Sequence, residues 1–244
     1  MELRGKQIIV TGGVKGLGRA MVEELVSREC NVTVFDIDVA GFDELQKAGV
    51  RCVACDVTNY EQVNAAVEEF NGVPDVLINN AGILYSEPLI RITEDGLKLH
   101  AYESWDRVLR TNLNSVFYMT APVVAKMVTT RTKGVVVNIG SVSAAGNPGA
   151  SAYSAAKAAV HALTQAWAKE LGPMGIRVIA IAPGFMDTDS AHASTSEAAL
   201  RETIKRVPLR RLGKAEEVAA AVVAAIENDF FNGKVFELDG GLIV

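Results

Sequence analysis

The sequence predicts one α/β domain spanning residues 1–244, a Rossmann-like doubly wound parallel sheet of about seven strands with helices on both faces. Three observations lead there. Seven short Val/Ile-rich runs recur without polar alternation, as strands buried on both faces do. Segments with the 3.6-residue period of amphipathic helices lie between them. The alternation runs from end to end, and no Pro/Ser-rich linker, low-complexity tract or internal repeat divides it.

The first run, QIIVTG from Gln7, leads into VTGGVKGLGRA, with glycines at 12, 13, 16 and 18. A strand ending at Thr11 and a helix opening near Gly16 place them in the first strand–helix turn. Missing side chains there open backbone N–H groups and the positive helix end to a pyrophosphate. The spacing Gly12-x-x-x-Gly16-x-Gly18 differs by one residue from the usual dinucleotide fingerprint, so its position in the chain carries the reading. The second run, NVTVFDI from Asn31, ends near Asp36. An acid at that tip can accept both hydroxyls of an adenine ribose and repel a 2′-phosphate, which favours NAD over NADP. Lys15 pulls the other way, because it could pair with that phosphate. A helix N-cap is the plainer role for Asp36, and it would suit Asp38 equally.

The third run, VRCVACDV from Val50, contains Cys52 and Cys55. On a buried strand, residues three apart point to opposite faces, so the thiols diverge. There is no second CxxC, Cys30 stands apart, and His100, His161 and His192 are scattered. No metal site is expected. In YEQVNAAVEEF, Val63, Ala66, Val67 and Phe70 form one helical stripe. The remaining runs are DVLINNAG from Asp75, GVVVNIGS from Gly134, IRVIAIAPG from Ile176 and KVFELDGG from Lys234. Further helices are expected over about 16–29, 103–130, 153–171 and 215–227. Two segments, 83–104 and 185–213, read as insertions leaving the carboxyl ends of strands, where open α/β sheets bind ligands. Long loops there are usually lids or substrate walls.

Charge and composition narrow the partners. A net charge of −5 argues against nucleic acid or an anionic membrane. The apolar run before the first glycines is too short for a secretory signal, and no stretch is long enough to span a bilayer. The expectation is a cytoplasmic protein acting on a small molecule.

SAYSAAKAAVHAL, residues 151–163, sets Tyr153 and Lys157 one turn apart on a helix of small side chains. A free phenol titrates near pH 10, too high for a good proton shuttle at neutrality. A positive charge within a few ångströms favours the phenolate and lowers that value. Alone, the pair could equally be an exposed Tyr/Lys pair on an amphipathic helix.

Taken together, these stretches resemble the short-chain dehydrogenase/reductase family nearly end to end. The family's TGxxxGxG turn stands here as TGGVKGLG, residues 11–18. Its NNAG is Asn79 to Gly82, its helix-four asparagine is Asn112 in TNLNSVF, and its serine is Ser141 in VNIGSVS. Its YxxxK is Tyr153 to Lys157, and its PG after the sixth strand is Pro183-Gly184. The resemblance implies that Tyr153 is the acid/base. It implies that Lys157 lowers the tyrosine's pKa and binds the nicotinamide ribose, and that Ser141 donates to the substrate oxygen. Asn112 would hold a water linking the lysine to solvent. The implied cofactor contacts are Gly12, Gly16, Leu17 and Gly18 on the phosphates, and Asp36 on the adenine ribose. Asp56 and Val57 would border the adenine, and Asn80, Ala81 and Gly82 its ribose. Tyr153, Lys157, Met186 and Thr188 would lie toward the nicotinamide. Twelve positions separate Ser141 from Tyr153, one fewer than is usual in the family, so Ser143 is a fallback.

Within the family two branches are similar. PLRRLGKAEEVA and PGFMDTD resemble bacterial 3-oxoacyl-carrier-protein reductases, which commonly use NADPH. Those reductases carry no acid at the tip of strand two and lack the long 83–104 segment. That segment, GPMGIRVIAIAPG and AAIENDFFNGKVFELDG instead resemble the 3-hydroxyacyl-CoA and hydroxysteroid dehydrogenases, which use NAD. The expectation is reversible NAD(H)-dependent exchange between a secondary alcohol and a ketone, possibly a 3-hydroxyacyl thioester, in the oxidative direction. The contrasting class is a non-catalytic NAD(H)-binding sensor or scaffold. The family is usually tetrameric or dimeric through its fourth and fifth helices, so a homotetramer or homodimer is implied. His161 reads as an interface or surface residue, and the terminal GGLIV as apolar residues seeking a partner surface. The cluster Arg206, Arg210, Arg211 and Lys214 reads as a solvated face rather than a phosphate contact.

Overall fold

Strands and helices alternate as the apolar runs predict, in a computed structural model that describes residues 1–188, 192 and 197–242. In chain order the elements are β1 (Gln7–Thr11), α1 (Gly16–Ser27), β2 (Asn31–Asp36), α2 (Phe42–Lys47), β3 (Arg51–Ala54), α3 (Tyr60–Glu68) and β4 (Val76–Asn79). Then come β5 (Ile90–Thr93), β6 (Gly96–Leu99), α4 (Tyr102–Leu109), α5 (Ser115–Thr129), β7 (Gly134–Ile139) and α6 (Ser151–Leu171). The last are β8 (Ile176–Pro183), α7 (Glu197–Arg206), α8 (Ala215–Glu227) and β9 (Val235–Leu238). The main sheet is parallel throughout, in the order β3-β2-β1-β4-β7-β8-β9. The order reverses between β1 and β4, so a crevice forms beyond the carboxyl ends of these two strands.

Strand alternation divides the core in two. Ile8, Val10, Val34, Ile78, Val137 and Ile179 face α1 and α8, where Met21, Leu25, Val218 and Val222 meet them. Ile9, Phe35, Leu77, Val136 and Val178 face the other way, toward Val63 and Phe70 beside α3, and Met119, Val123 and Met127 of α5. The stripe read from 63 to 70 is buried throughout. Cys52 packs on the first face and Cys55 on the second, so the thiols diverge. The strand carrying Cys52 is not buried on both sides, however. β3 is the sheet's edge, and Arg51 and Ala54 are exposed. Such an edge needs an outward row that the run of apolar letters does not reveal.

Two expectations are refined. The helix expected over 103–130 is broken by a π turn at Arg110–Asn114 between α4 and α5. Part of the 83–104 insertion folds into the antiparallel hairpin β5–β6. Its base is tied to the loop before α6, where Ser86 Oγ donates to Gly149 O at 2.9 Å and Glu87 bridges to Ala150. Cross-strand pairing puts Ile90, Ile92, Leu97 and Leu99 on one exposed face.

A chain of buried amides and hydroxyls crosses the middle of the sheet. Asn79 Nδ2 donates to Thr120 Oγ1 of α5 (3.0 Å) and to Asn138 Oδ1 of β7 (2.9 Å). Asn138 Nδ2 donates in turn to Thr164 Oγ1 of α6 at 2.9 Å. Asn138 and Thr164 are fully buried. Breaking such a chain strands groups that water cannot reach. Asn138→Ala is therefore expected to lower unfolding free energy by about 1–3 kcal/mol in urea with an unchanged m-value. A loss below about 0.5 kcal/mol would mean that the chain does not hold α6 to the sheet.

Candidate active site

The crevice is organised around Thr11, the last residue of β1. Thr11 Oγ1 accepts the backbone N–H groups of Asn80 and Ala81, both at 3.0 Å. Asn80 Nδ2 returns two bonds of 2.9 Å, to Thr11 O and Gly12 O. Glycine is required on both sides of this lock. Gly12 has φ +66°, and a Cβ there would come within 2.9 Å of Ala81 Cα. A Cβ at Gly18 would collide with Gly12 O and lie 2.6 Å from Asn80 Nδ2. Gly16 differs: its φ is +57°, and the place of its Cβ is open, with no heavy atom within 4 Å. No side chain caps α1, and its first turn holds no acid. A helix start with open space and uncapped N–H groups fits a dinucleotide's phosphates. Leu17 sits half-buried against the core beneath this turn.

Asp36 is anchored rather than free. Its Oδ2 accepts Val14 N and its Oδ1 accepts Asp38 N, each at 3.0 Å. The cap role falls to Asp38, whose side chain accepts Ala40 N at the start of a short 3₁₀ turn. Lys15, 82 % exposed, stands 3.5 Å from Asp38 Oδ2. Beyond β3, Asp56 Oδ1 accepts Thr58 N (2.9 Å) and Thr58 Oγ1 (2.8 Å), and Val57 is buried.

Gly82 and Asn112 meet where the π turn lies. Asn112 is fully buried; its Oδ1 accepts Ile83 N at 3.1 Å, and its Nδ2 donates to Ile83 O and Val108 O. A Cβ on Gly82 would stand 2.6 Å from Asn112 Oδ1. Both amide protons are thus spent on shaping the turn, and a water link to Lys157 would fall to main-chain atoms. π turns recur at functional sites, and no spacing signal in the sequence points to this one.

Ser141, Tyr153 and Lys157 converge at the carboxyl end of β7. Ser141 is extended and buried; its Oγ accepts Ser143 N at 3.1 Å, and its side chain favours the charged form of the Tyr153 phenol. Ser143 thereby supports Ser141 instead of replacing it. The shortened loop between them closes through a 3₁₀ turn at Val142–Ala145, and Asn147 N donates to Ser154 Oγ at 3.1 Å. Lys157 is 5 % exposed, and its Nζ donates to Ile139 O at 2.7 Å and lies 5.7 Å from the Tyr153 ring centroid.

Burial dominates the electrostatics. It pushes the Tyr153 phenol above its ordinary value, against the smaller opposing effect of the Ser141 hydrogen bond. This is the opposite of the lowered tyrosine pKa expected from Lys157, because the ammonium is turned to the Ile139 carbonyl while the ring loses water. Burial also brings Lys157 down to about 8.

The remaining predicted residues are partly placed. Met186 is buried under Gly213, where a Cβ would come within 2.5 Å of its sulfur. Thr188 is half-buried at the edge of the described residues, and much of 189–196 lies outside them. Arg211 forms an ion pair with Glu217 (2.6 Å), and Arg206, Arg210 and Arg211 are exposed, as a solvated face requires. Leu242 does not need a partner surface, since it packs with Val142 and Val207; the last two residues lie outside the description. His161 is not simply a surface residue. It is half-buried, and its Nε2 lies 3.4 Å from Ser141 N. Its place one turn beyond Lys157, after a glycine at 140, is the signal that could have revealed it.

Comparison with known proteins agrees with this geometry. The family model described as short chain dehydrogenase matches residues 6–199. The chain is 38 % identical to the 3-oxoacyl-[acyl-carrier-protein] reductase of Thermotoga maritima, covering all of both chains. It is 36 % identical to the enzymes of the same name from Chlamydia muridarum (98 % of each chain) and Vibrio cholerae (99 % of each). This chain belongs to the short-chain dehydrogenase family, and is an oxidoreductase that binds a nicotinamide dinucleotide.

The buried lysine makes stability depend on pH in a defined direction. Its pKa of about 8 lies below the ordinary 10.5, so between these values the unfolded chain binds more protons and stability rises with pH. Below pH 8 the full penalty applies, about 3 kcal/mol. In urea unfolding from pH 7 to 10.5, wild type should gain about that amount relative to Lys157→Met. A flat difference would mean that the ammonium is not desolvated.

Proposed function

We propose that the chain reduces a 3-oxoacyl thioester to the 3-hydroxyacyl thioester, with Tyr153 as acid, Ser141 as oxyanion donor and Lys157 as the positive charge behind them. The observation that supports this most is the buried Lys157, which donates to Ile139 O at the end of β7 and lies 5.7 Å from the Tyr153 ring centroid. A bound nicotinamide dinucleotide supplies the hydride. This chain's residues do the rest. Charge grows on the carbonyl oxygen, and two donors aimed at one point stabilise it. The Tyr153 proton then passes to that oxygen, and the Lys157 ammonium, once turned from Ile139 O toward the ring, favours the phenolate left behind. A phenol raised by burial keeps its proton at neutral pH, which suits reduction better than the oxidative direction first expected. The named relatives act on 3-oxoacyl groups carried by a protein, which supports the substrate class.

NAD(H) is the cofactor we favour. Asp36 is held by two backbone N–H groups at the tip of β2, so its charge is fixed where a 2′-phosphate would come. Lys15 is drawn toward Asp38. In this reading Gly12 to Gly18 hold the phosphates, Asp56 and Val57 border the adenine, and Asn80 to Gly82 border its ribose. Met186 and Thr188 lie toward the nicotinamide. A homodimer or homotetramer in the cytoplasm completes the proposal; Phe117 and Val128 on α5, 54 % and 39 % exposed, are apolar groups that a second copy would cover.

Tyr153→Phe should lower turnover of acetoacetyl-CoA at least about a thousandfold while NADH affinity, read by fluorescence, stays within about threefold. Equal slow turnover in both proteins would support a non-catalytic dinucleotide-binding role. Asp36→Ser should shift the NADH/NADPH ratio of kcat/KM toward NADPH by about tenfold or more. An unchanged ratio would remove Asp36 as the selector.

A further inference from the structure

The ring of His161, one turn past Lys157 on α6, takes no part in the chemistry above. It lies against the backbone joining β7 to the serine. Its Nε2 meets the Ser141 N–H at 3.4 Å. Gly140 makes this approach possible, because a Cβ there would collide with Nε2 and lie 2.8 Å from Cδ2. The preceding N–H, that of Gly140, donates to Ile181 O of β8 at 2.7 Å. Successive amides are therefore held from two sides, one by the sheet and one by the imidazole. The residue so held is extended, with φ −168° and ψ 149°, and its side chain is the group that favours the charged form of the Tyr153 phenol.

We propose that His161 is a positioning residue: its neutral ring, carrying its proton on Nδ1, accepts the Ser141 amide at Nε2 and so aims Ser141 Oγ at Tyr153 and the substrate oxygen. The inference rests on the carbonyl-reductase reading of the site. An imidazole can accept at Nε2 only in that neutral tautomer. Protonation would set two donors against each other and release the Ser141 peptide. Lys157 is the charged group that acts on the ring; burial first, and then this ammonium, disfavour the imidazolium. The backbone packed against the ring, Gly140 and Ser141, brings no further charge to it. The assembled serine is thus kept through neutral pH and lost on the acid side, below the ordinary histidine range.

The experiment measures kcat and KM for acetoacetyl-CoA reduction from pH 5 to 8 in wild type, His161→Gln, His161→Leu, Ser141→Ala and the Ser141→Ala/His161→Leu double variant. NADH affinity is followed by fluorescence, and ¹⁵N NMR of the substrate-free protein reports the His161 tautomer. His161→Leu should lower kcat about tenfold, the worth of one hydrogen bond, with KM and NADH affinity nearly unchanged. His161→Gln, whose amide oxygen accepts without titrating, should restore most of that loss and abolish the acid limb. In the Ser141→Ala background, His161→Leu should cost nothing further, because the two act as one unit. The same tenfold cost in both backgrounds, or an unchanged acid limb in His161→Gln, would overturn the inference. If wild type reduces no carbonyl compound, the functional reading fails and the NMR decides alone. A protonated Nδ1 with a bare Nε2 upholds the contact; a protonated Nε2 overturns it.

Discussion

An ammonium buried without a carboxylate partner among the described residues is the constraint around which this molecule is arranged. Lys157 is held by one strong bond to Ile139 O, and burial disfavours its charge. A chain keeps such a residue only if the surroundings hold it in place, and here they do. Strand β7 supplies the carbonyl and runs on into Gly140 and Ser141. Helix α6 supplies Tyr153, Lys157 and His161 on successive turns, and Thr164, a little further along, locks that helix to Asn138 of β7. The proposed acid and its support therefore come from the same two elements.

The second half of the crevice is built by the switch in strand order. Because β1 and β4 lie side by side with their crossovers leaving in opposite directions, their tips must be sealed to each other. Thr11 and Asn80 do this with reciprocal bonds. The glycines then follow from space rather than from flexibility alone: Gly18 clears Gly12 O, and Gly82 clears Asn112. Gly16 instead leaves open space at a helix start. The site is thus polar and tightly filled around its frame, and open where a ligand would lie.

Much of this was legible because it rests on period and residue type. Two-residue alternation sends Ile8 and Ile9 to opposite faces, and helical spacing buries Val63, Val67 and Phe70. Turn glycines end β1, and the Tyr153–Lys157 spacing shares one face. What was not legible depends on contacts between distant residues. The exposure of β3 follows from its place at the edge of the sheet, which no local pattern states. The π turn at Asn112 answers Ile83 and Gly82, some thirty positions earlier. The hairpin in the insertion alternates over only four residues per strand, and its apolar face, Ile90, Ile92, Leu97 and Leu99, is exposed rather than packed on the core. The balance between burial and charge at Tyr153 needed distances, and burial wins where the sequence suggested that the lysine would. His161 reads from the sequence as an interface or surface residue, because its partner is a backbone N–H, which has no letter.

In the proposed reaction this buried constellation delivers a proton while a bound dinucleotide gives up hydride. The direct measurement is a single turnover with 4-deuterated NADH or NADPH, scoring the label in the product of acetoacetyl-CoA and of simple ketones. The account predicts one deuterium on the carbinol carbon and a primary isotope effect on the rate. Saturable dinucleotide binding with no label transferred to any carbonyl carbon would contradict it.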